Sequence, residues 1–163
     1  RRTVEALGHL ERAVTGSGLE GLVLRYGWFY GPGSSIAVDG SIVELVNRRR
    51  FPIVGPGGGV WSFAHLDDVA MATALAVERG APGVYNIADD EPAPVREWLP
   101  VLAGAIGAPK PRRVPVWLAR LLVGELGVTL MTEIRGVAND KAKRELGWTL
   151  RYPSWRRGFR EGL

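Results

Sequence analysis

Between a helical segment and a glycine-rich turn the chain reads GLVLRYG, residues 21–27, and its apolar residues Leu22, Val23 and Leu24 are consecutive rather than alternating. A strand with one solvated face alternates apolar and polar residues, so an unbroken run calls for cover on both faces, as for a parallel strand between helices. The residues before it agree. Val4, Leu7, Leu10 and Val14 recur at helical spacing and Gly16-Ser17-Gly18 stops them, which predicts an amphipathic helix over 4–15. Helix, short loop and buried strand make half of an α/β repeat.

Downstream, Ser41 and Glu44 stand at capping-box spacing before Leu45 and Val46, predicting a helix at about 42–50. In FPIVGPGGGVWSFAH, residues 52–54 and 60–64 read as two short extended pieces joined as a hairpin by the glycines of 55–59. Asp67 is placed to cap a helix from Asp68 to about Glu78, whose Val69, Ala70, Ala72, Ala74, Leu75 and Ala76 leave little polar face. GVYNIA, 83–88, is another short buried strand. Val95, Trp98, Leu102 and Ile106 mark the helix after it, with Pro100 in or near the first turns. Beyond that, helices are expected over 117–123 and 131–137. A short helix capped by Asn139 and ended by Gly147 follows, with no obvious sheet strand.

No run approaches the roughly 18 apolar residues of a membrane-spanning helix, so a cytoplasmic protein without a membrane partner is expected. Cysteine is absent, which excludes disulfides and thiol nucleophiles. His9 and His65 are too far apart for a histidine metal cluster, so no metal is expected. The 21 Lys and Arg exceed the 17 Asp and Glu, giving a net charge of +4, with clusters at 48–50, 110–113 and 156–157. These sit at element ends without an interleaved aromatic platform, which favours a solvated surface over nucleic-acid binding. The chain opens on Arg1 rather than methionine, as a fragment or a processed chain would.

The glycines of 55–59 lead into VWSFAH rather than into a helix whose amides could hold a phosphate, and no GxxxxGKS or GxxxxGKT occurs. His65 is expected to bond backbone at a strand end rather than to act as a base. Asp67 and Asp68 are adjacent, so their side chains diverge and cannot work as an acid/base pair. Trp28, Phe29 and Tyr30 follow one strand, and Trp61 lies in the expected hairpin. In an open α/β sheet the ligand crevice lies at the carboxyl ends of the strands. These aromatics either line such a pocket or pack against the C-terminal lobe, and the sequence leaves both open.

Four segments, LRYGWFYGPG, FPIVGPGGGVWSFAHLDDVA, GVYNIADDEPAPVREW and NDKAKRELGW, cover most of the chain. In this order and spacing they resemble the C-terminal half of an atypical extended short-chain dehydrogenase/reductase of the NAD-dependent epimerase/dehydratase family. The resemblance implies an α/β fold, the C-terminal part of a Rossmann-like doubly wound parallel sheet plus a small helical substrate-side lobe. Residues 1–35 and 66–90 would supply the core, and 36–65 and 91–163 the lobe. It also implies NAD or NADP, bound mainly by an N-terminal half outside these residues, with Tyr26, Gly27 and Trp28 near the nicotinamide. Trp28, Tyr30, Trp61 and His65 would face a small-molecule substrate. A bare Gly27 suits this, since its backbone can approach a flat ring.

Three departures bear on the activity. The dinucleotide fingerprint is not among these residues. Nor is the YxxxK pair with which such enzymes move protons. If Glu11 aligns with the family's helix glutamate, Thr3 and Leu7 hold the pair's places, and no catalytic residue is assigned within the chain. Finally, Trp28 and Trp61 stand where many sugar-nucleotide members carry Asn and Arg, which favours an apolar or aromatic small molecule over a nucleoside diphosphate-sugar. The implied function is the substrate-binding half of an NAD(P)-dependent epimerase/dehydratase-like protein, with hydride transfer at a carbinol carbon. The alternative is a non-catalytic ligand-binding or sensor protein of the same fold. Through the helix at 4–15 the resemblance is also compatible with a homodimer.

Overall fold

A computed structural model describes residues 2–163, with side chains from Glu5 onward. The side chains of Thr3 and Val4, the one set in the place of a tyrosine and the other on the apolar face of the first helix, lie outside the described residues. In chain order come α1 (Arg2–Thr15), β1 (Leu22–Tyr26), β2 (Trp28–Tyr30), α2 (Ser41–Asn47), β3 (Ile53–Val54), β4 (Val60–Trp61), β5 (Phe63–His65) and α3 (Leu66–Arg79). Then follow β6 (Gly83–Ile87), β7 (Ala93–Pro94), α4 (Val95–Ala105), β8 (Arg113–Val114), α5 (Val116–Thr132), α6 (Asp140–Leu146) and α7 (Trp155–Glu161).

β1 and β6 run parallel, from Leu22 beside Gly83 to Tyr26 beside Ile87, and β2 runs parallel to β5. Two cores result. One gathers Ala72 and Ala76 of α3, Tyr85 and Ile87 of β6, Ala142 and Leu146 of α6, and Trp148 around the β1–β6 pair. The other packs Tyr30, Phe63, Trp61, Trp98, Trp155 and Phe159 between β2, β4, β5, α4 and α7. Small alanines on α3 let that helix sit close to the sheet, while the second core is filled by rings. Leu22, Val23 and Leu24 are half-buried rather than sealed, and Leu7 and Leu10 of α1 stay exposed, so the predicted apolar face of α1 is largely open.

Several local expectations are corrected. The glycine turn of 55–59 does not close a hairpin: β3 pairs with β8 and β4 with β7, because remote edges offer these two-residue strands their backbone partners. Helix α2 begins at Ser41 itself, with Gly40 at the N-cap. The Ile42 N–H is met by the Ser35 carbonyl at 2.9 Å, so no capping box forms and Glu44 pairs with Arg48 instead. Helix α3 is capped not by Asp67 but by His65, whose Nδ1 accepts from the Asp67 N–H at 3.1 Å.

The expected helix at 131–137 is absent past Thr132. That segment runs beside β4 instead, where the Ile134 carbonyl accepts from Val60 N–H and Ser62 Oγ from Val137 N–H. The expected helix at 117–123 is the first part of α5, which breaks at Gly124 (φ 70°, ψ −178°). Asn139 sits at the N-cap of α6 without capping it, since its amide donates to Ala88 O and Asp90 Oδ1. Gly147 does end α6 in the left-handed region at φ 61°. Helix α4 stands where expected with Pro100 in its second turn, whereas β7, β8 and α7 were not foreseen.

Candidate functional site

The site grows from a change of partner. Along β1 the chain pairs with β6, and the last link is Gly27 N–H to Ile87 O at 2.9 Å. One residue later Trp28 N–H reaches Ser62 O at 2.8 Å, and β2 pairs with β5. Gly27 makes this transfer feasible: a Cβ there would stand 2.8 Å from Ser62 O and 3.0 Å from Phe63 C. Its bareness therefore serves the close approach of two backbones, a different reason from the one the sequence suggested.

Immediately after the transfer, Trp28 stacks on Trp61 with centroids 4.1 Å apart and planes at 19°. Trp61 leans on Trp98 at 4.8 Å and spends its indole N–H on Leu130 O at 2.8 Å. Two cavities meet at Trp28. One, of 400 Å³, lies at the β1–β2 turn and is bordered by Tyr26, Gly27, Trp28, Phe29, Ser34 and Ser35. The other, of 340 Å³, opens between α2, β3, β4 and α5, with Trp28, Trp61 and Phe51 on one side and Leu122, Leu130 and Met131 on the other. Trp28 borders both. Of the two readings open for the tryptophans, packing and pocket-lining, the pair satisfies both.

Tyr26, Gly27 and Trp28 thus come together at one cavity, and Trp28 and Trp61 at the other. Tyr30 and His65 lie elsewhere, 0% and 2% exposed beneath α7 and the C-terminus. The Tyr30 ring meets His65 and Phe159 edge-on at 5.1 and 5.4 Å, and its hydroxyl has no partner. Burial, with the nearby Asp89 and Asp68 carboxylates, pushes that phenol far above its usual range. His65 uses both ring nitrogens, Nδ1 as acceptor from Asp67 and Nε2 as donor to Gly162 O at 3.0 Å, which fixes the tautomer and leaves neither free.

Buried carboxylates tie the C-terminal segment to this frame. Asp68 points inward and accepts from Arg151 N–H (2.7 Å) and Tyr152 N–H (2.9 Å), while Asp67 faces solvent beside Arg151. Asp89 accepts from Trp155 N–H at 2.8 Å, and burial pushes its carboxyl up to about 8 against the pull of the Glu91 and Trp155 amides. The sequence reading missed Asp89, Phe51 and the whole α5 wall. Only the density of apolar residues over 116–131 could have flagged the last.

Residues 6–88 match the model of the NAD dependent epimerase/dehydratase family. The chain is 47% identical over 157 residues to a 3-diazoavenalumate denitrifying reductase of Streptomyces sp, covering 96% of this chain and 52% of that protein. Its structure superposes with a TM-score of 0.67 on a conserved protein of unknown function from Silicibacter pomeroyi DSS, 32% identical, over 85% of this chain and 46% of the other. A human epimerase family protein, SDR39U1, solved with NADPH, shares the fold at 18% identity and a TM-score of 0.70, over 86% of this chain and 47% of its own. The chain spans about half the length of the relatives it matches. Their shared fold identifies the parallel pairs and helices seen here as the C-terminal part of a Rossmann-like doubly wound sheet with a helical lobe. This chain belongs to the NAD dependent epimerase/dehydratase family.

Proposed function

We propose that this chain forms the substrate side of an NAD(P)H-linked reductase acting on a small, largely apolar molecule. The observation that carries the reading is the position of Trp28, shared by the cavity at the β1–β2 turn and the apolar crevice beside α5. A nicotinamide ring fits the first cavity: Tyr26 and Phe29 present exposed rings there, and the Ser34 and Ser35 side chains border it with polar groups. Bound NAD(P)H would supply the hydride. Tyr26, the Gly27 backbone and Trp28 would hold its ring, and Trp28 with Trp61 would lay the acceptor flat in a crevice whose apolar walls exclude water. Tyr30 and His65 serve this site from behind, fixing β2 and β5 against α7.

The likeness to a denitrifying reductase of a diazo compound supports the reductase class and favours a diazo acceptor. For a diazonium group the chemistry closes without a protein acid. Hydride from bound NAD(P)H would reduce the terminal nitrogen, the N–H proton would pass to solvent as the C–N bond breaks and dinitrogen leaves, and water would return a proton to the carbon. The reading therefore does not depend on a Tyr–Lys pair.

The test is a nicotinamide absorbance assay on the protein expressed from its own start codon, offered aryl diazonium and carbonyl substrates. Steady oxidation of the reduced cofactor is expected, and Trp28→Ala should lower kcat/KM at least about tenfold through loss of the stacking wall. Cofactor binding without turnover of any such substrate would overturn the reductase reading in favour of a ligand-binding protein of the same fold.

A further inference from the structure

Among the described residues that line the apolar crevice, Arg50 alone carries a charged side chain. Its two neighbours in the basic run are already engaged: Arg48 pairs with Glu44 at 2.7 Å, and Arg49 donates to the Lys110 carbonyl at 3.3 Å. Arg49 stands in the left-handed region at φ 56°, which reverses the chain after α2. The Arg50 amide bonds back to Leu45 O at 2.8 Å. This turn delivers Arg50 and then Phe51 to the crevice mouth. Among the described residues Arg50 pairs with no carboxylate.

We infer that the crevice binds small aromatic or conjugated carboxylic acids, with Arg50 holding the carboxylate at the rim and Trp28, Trp61 and Phe51 taking the flat apolar body. The inference rests on the reading of this crevice as the substrate site and names the class of molecule it selects. Three features disfavour the other obvious ligands. Sugar hydroxyls find only the Arg50 guanidinium and the Trp28 indole N–H as side-chain partners in the wall, because the Trp61 N–H is spent on Leu130 O and the other lining side chains are apolar. A diphosphate calls for several cations or amides, and the lining offers one guanidinium. A volume of 340 Å³ stands at the small end of the roughly 300–1,000 Å³ of ligand pockets, room for a single-ring acid and not for a nucleotide-sugar. A fully neutral ligand would leave the guanidinium without a role, whereas its planar fork suits a carboxylate.

Isothermal titration of cinnamate and of its neutral isostere cinnamamide into the protein expressed from its own start codon tests this, with Arg50→Gln as the variant. A charge-assisted hydrogen bond at the rim predicts that cinnamate binds about tenfold more tightly than cinnamamide. Arg50→Gln should bring the cinnamate affinity down to that of cinnamamide. Equal affinities for acid and amide in the unaltered protein, or an acid preference that survives in Arg50→Gln, would overturn the carboxylate assignment and leave the crevice standing as an apolar site. Binding of neither compound would overturn the substrate reading of the crevice as well.

Discussion

Replacing Gly27 by alanine separates two demands that could fix this residue, room for a cofactor ring and room for a neighbouring strand. The added Cβ would meet Ser62 O at 2.8 Å, Phe63 C at 3.0 Å and Phe63 O at 3.1 Å, all backbone atoms that no rotamer change can move. Restoring the 3.4 Å of ordinary contact parts β2 from the segment leading into β5 by roughly half an ångström. The Trp28 N–H bond to Ser62 O, now 2.8 Å, would then stretch beyond the common range. Overpacking of this kind costs about 1–3 kcal/mol, and a weakened backbone hydrogen bond adds up to about 1 kcal/mol. A loss of about 2–3 kcal/mol is expected in urea unfolding followed by far-UV circular dichroism with no cofactor present, at an unchanged m-value. A variant that keeps its stability within about 0.5 kcal/mol while losing affinity for NAD(P)H would refute the strand-packing account. It would return Gly27 to the ring.

Asp68→Ala strands two amides, the part-buried one of Arg151 and the buried one of Tyr152, and should cost about 2–4 kcal/mol in the same unfolding assay; a loss under about 1 kcal/mol would mean that water replaces the carboxylate. Asp89 gives the protein a pH slope. Its carboxyl, raised by burial from 3.8 to about 8, keeps its proton in the folded state where the unfolded chain has released it. Its stabilising contribution is thus full below about pH 4, falls as pH rises and is gone above about 8, by about 1.4 kcal/mol per unit at most. Asp89→Asn should flatten stability between those limits, and an unaltered slope would assign it to other groups.

The elements legible in the sequence were those whose signal is local. Helices α1, α3 and α4 and strands β1 and β6 announce themselves by spacing within their own residues. What escaped was set by partners far along the chain. Residues 53–54 look like one arm of a hairpin until β8 arrives at 113–114, and 60–61 until β7 arrives at 93–94. N-capping failed at all three helices where it was expected: at α6 Asn139 is taken by the distant Ala88 and Asp90, while at α2 and α3 a neighbour close in sequence serves the first turn. The His65 imidazole takes the place of Asp67 at the first turn of α3, Asp68 holds residues 151 and 152, and a folded-back loop carbonyl serves α2. Helix α7 rests on contacts with β5 and α4 and on the bond from Trp155 N–H to Asp89, none of which a local pattern reveals.

The candidate site shows the same division. Trp28 and Trp61 drew notice because indoles in place of polar groups change what a pocket can bind, and they do come together. Arg50 stood in the sequence only as one of three identical cations, and what separates it from Arg48 and Arg49 is a single left-handed turn. The pocket itself follows from strand pairing. A strand running unbroken from 22 to 30 would keep β6 as its partner throughout and bury Trp28 in one sheet face. By handing the chain from β6 to β5 at Gly27, the fold splits the sheet there and sets the next side chain at the split, with one cavity on each side of it. If the proposed function holds, binding on both sides of Trp28 would be tied to the closeness of two backbones at Gly27. A change that pushes those strands apart should weaken the aromatic acid and the dinucleotide together, rather than either alone.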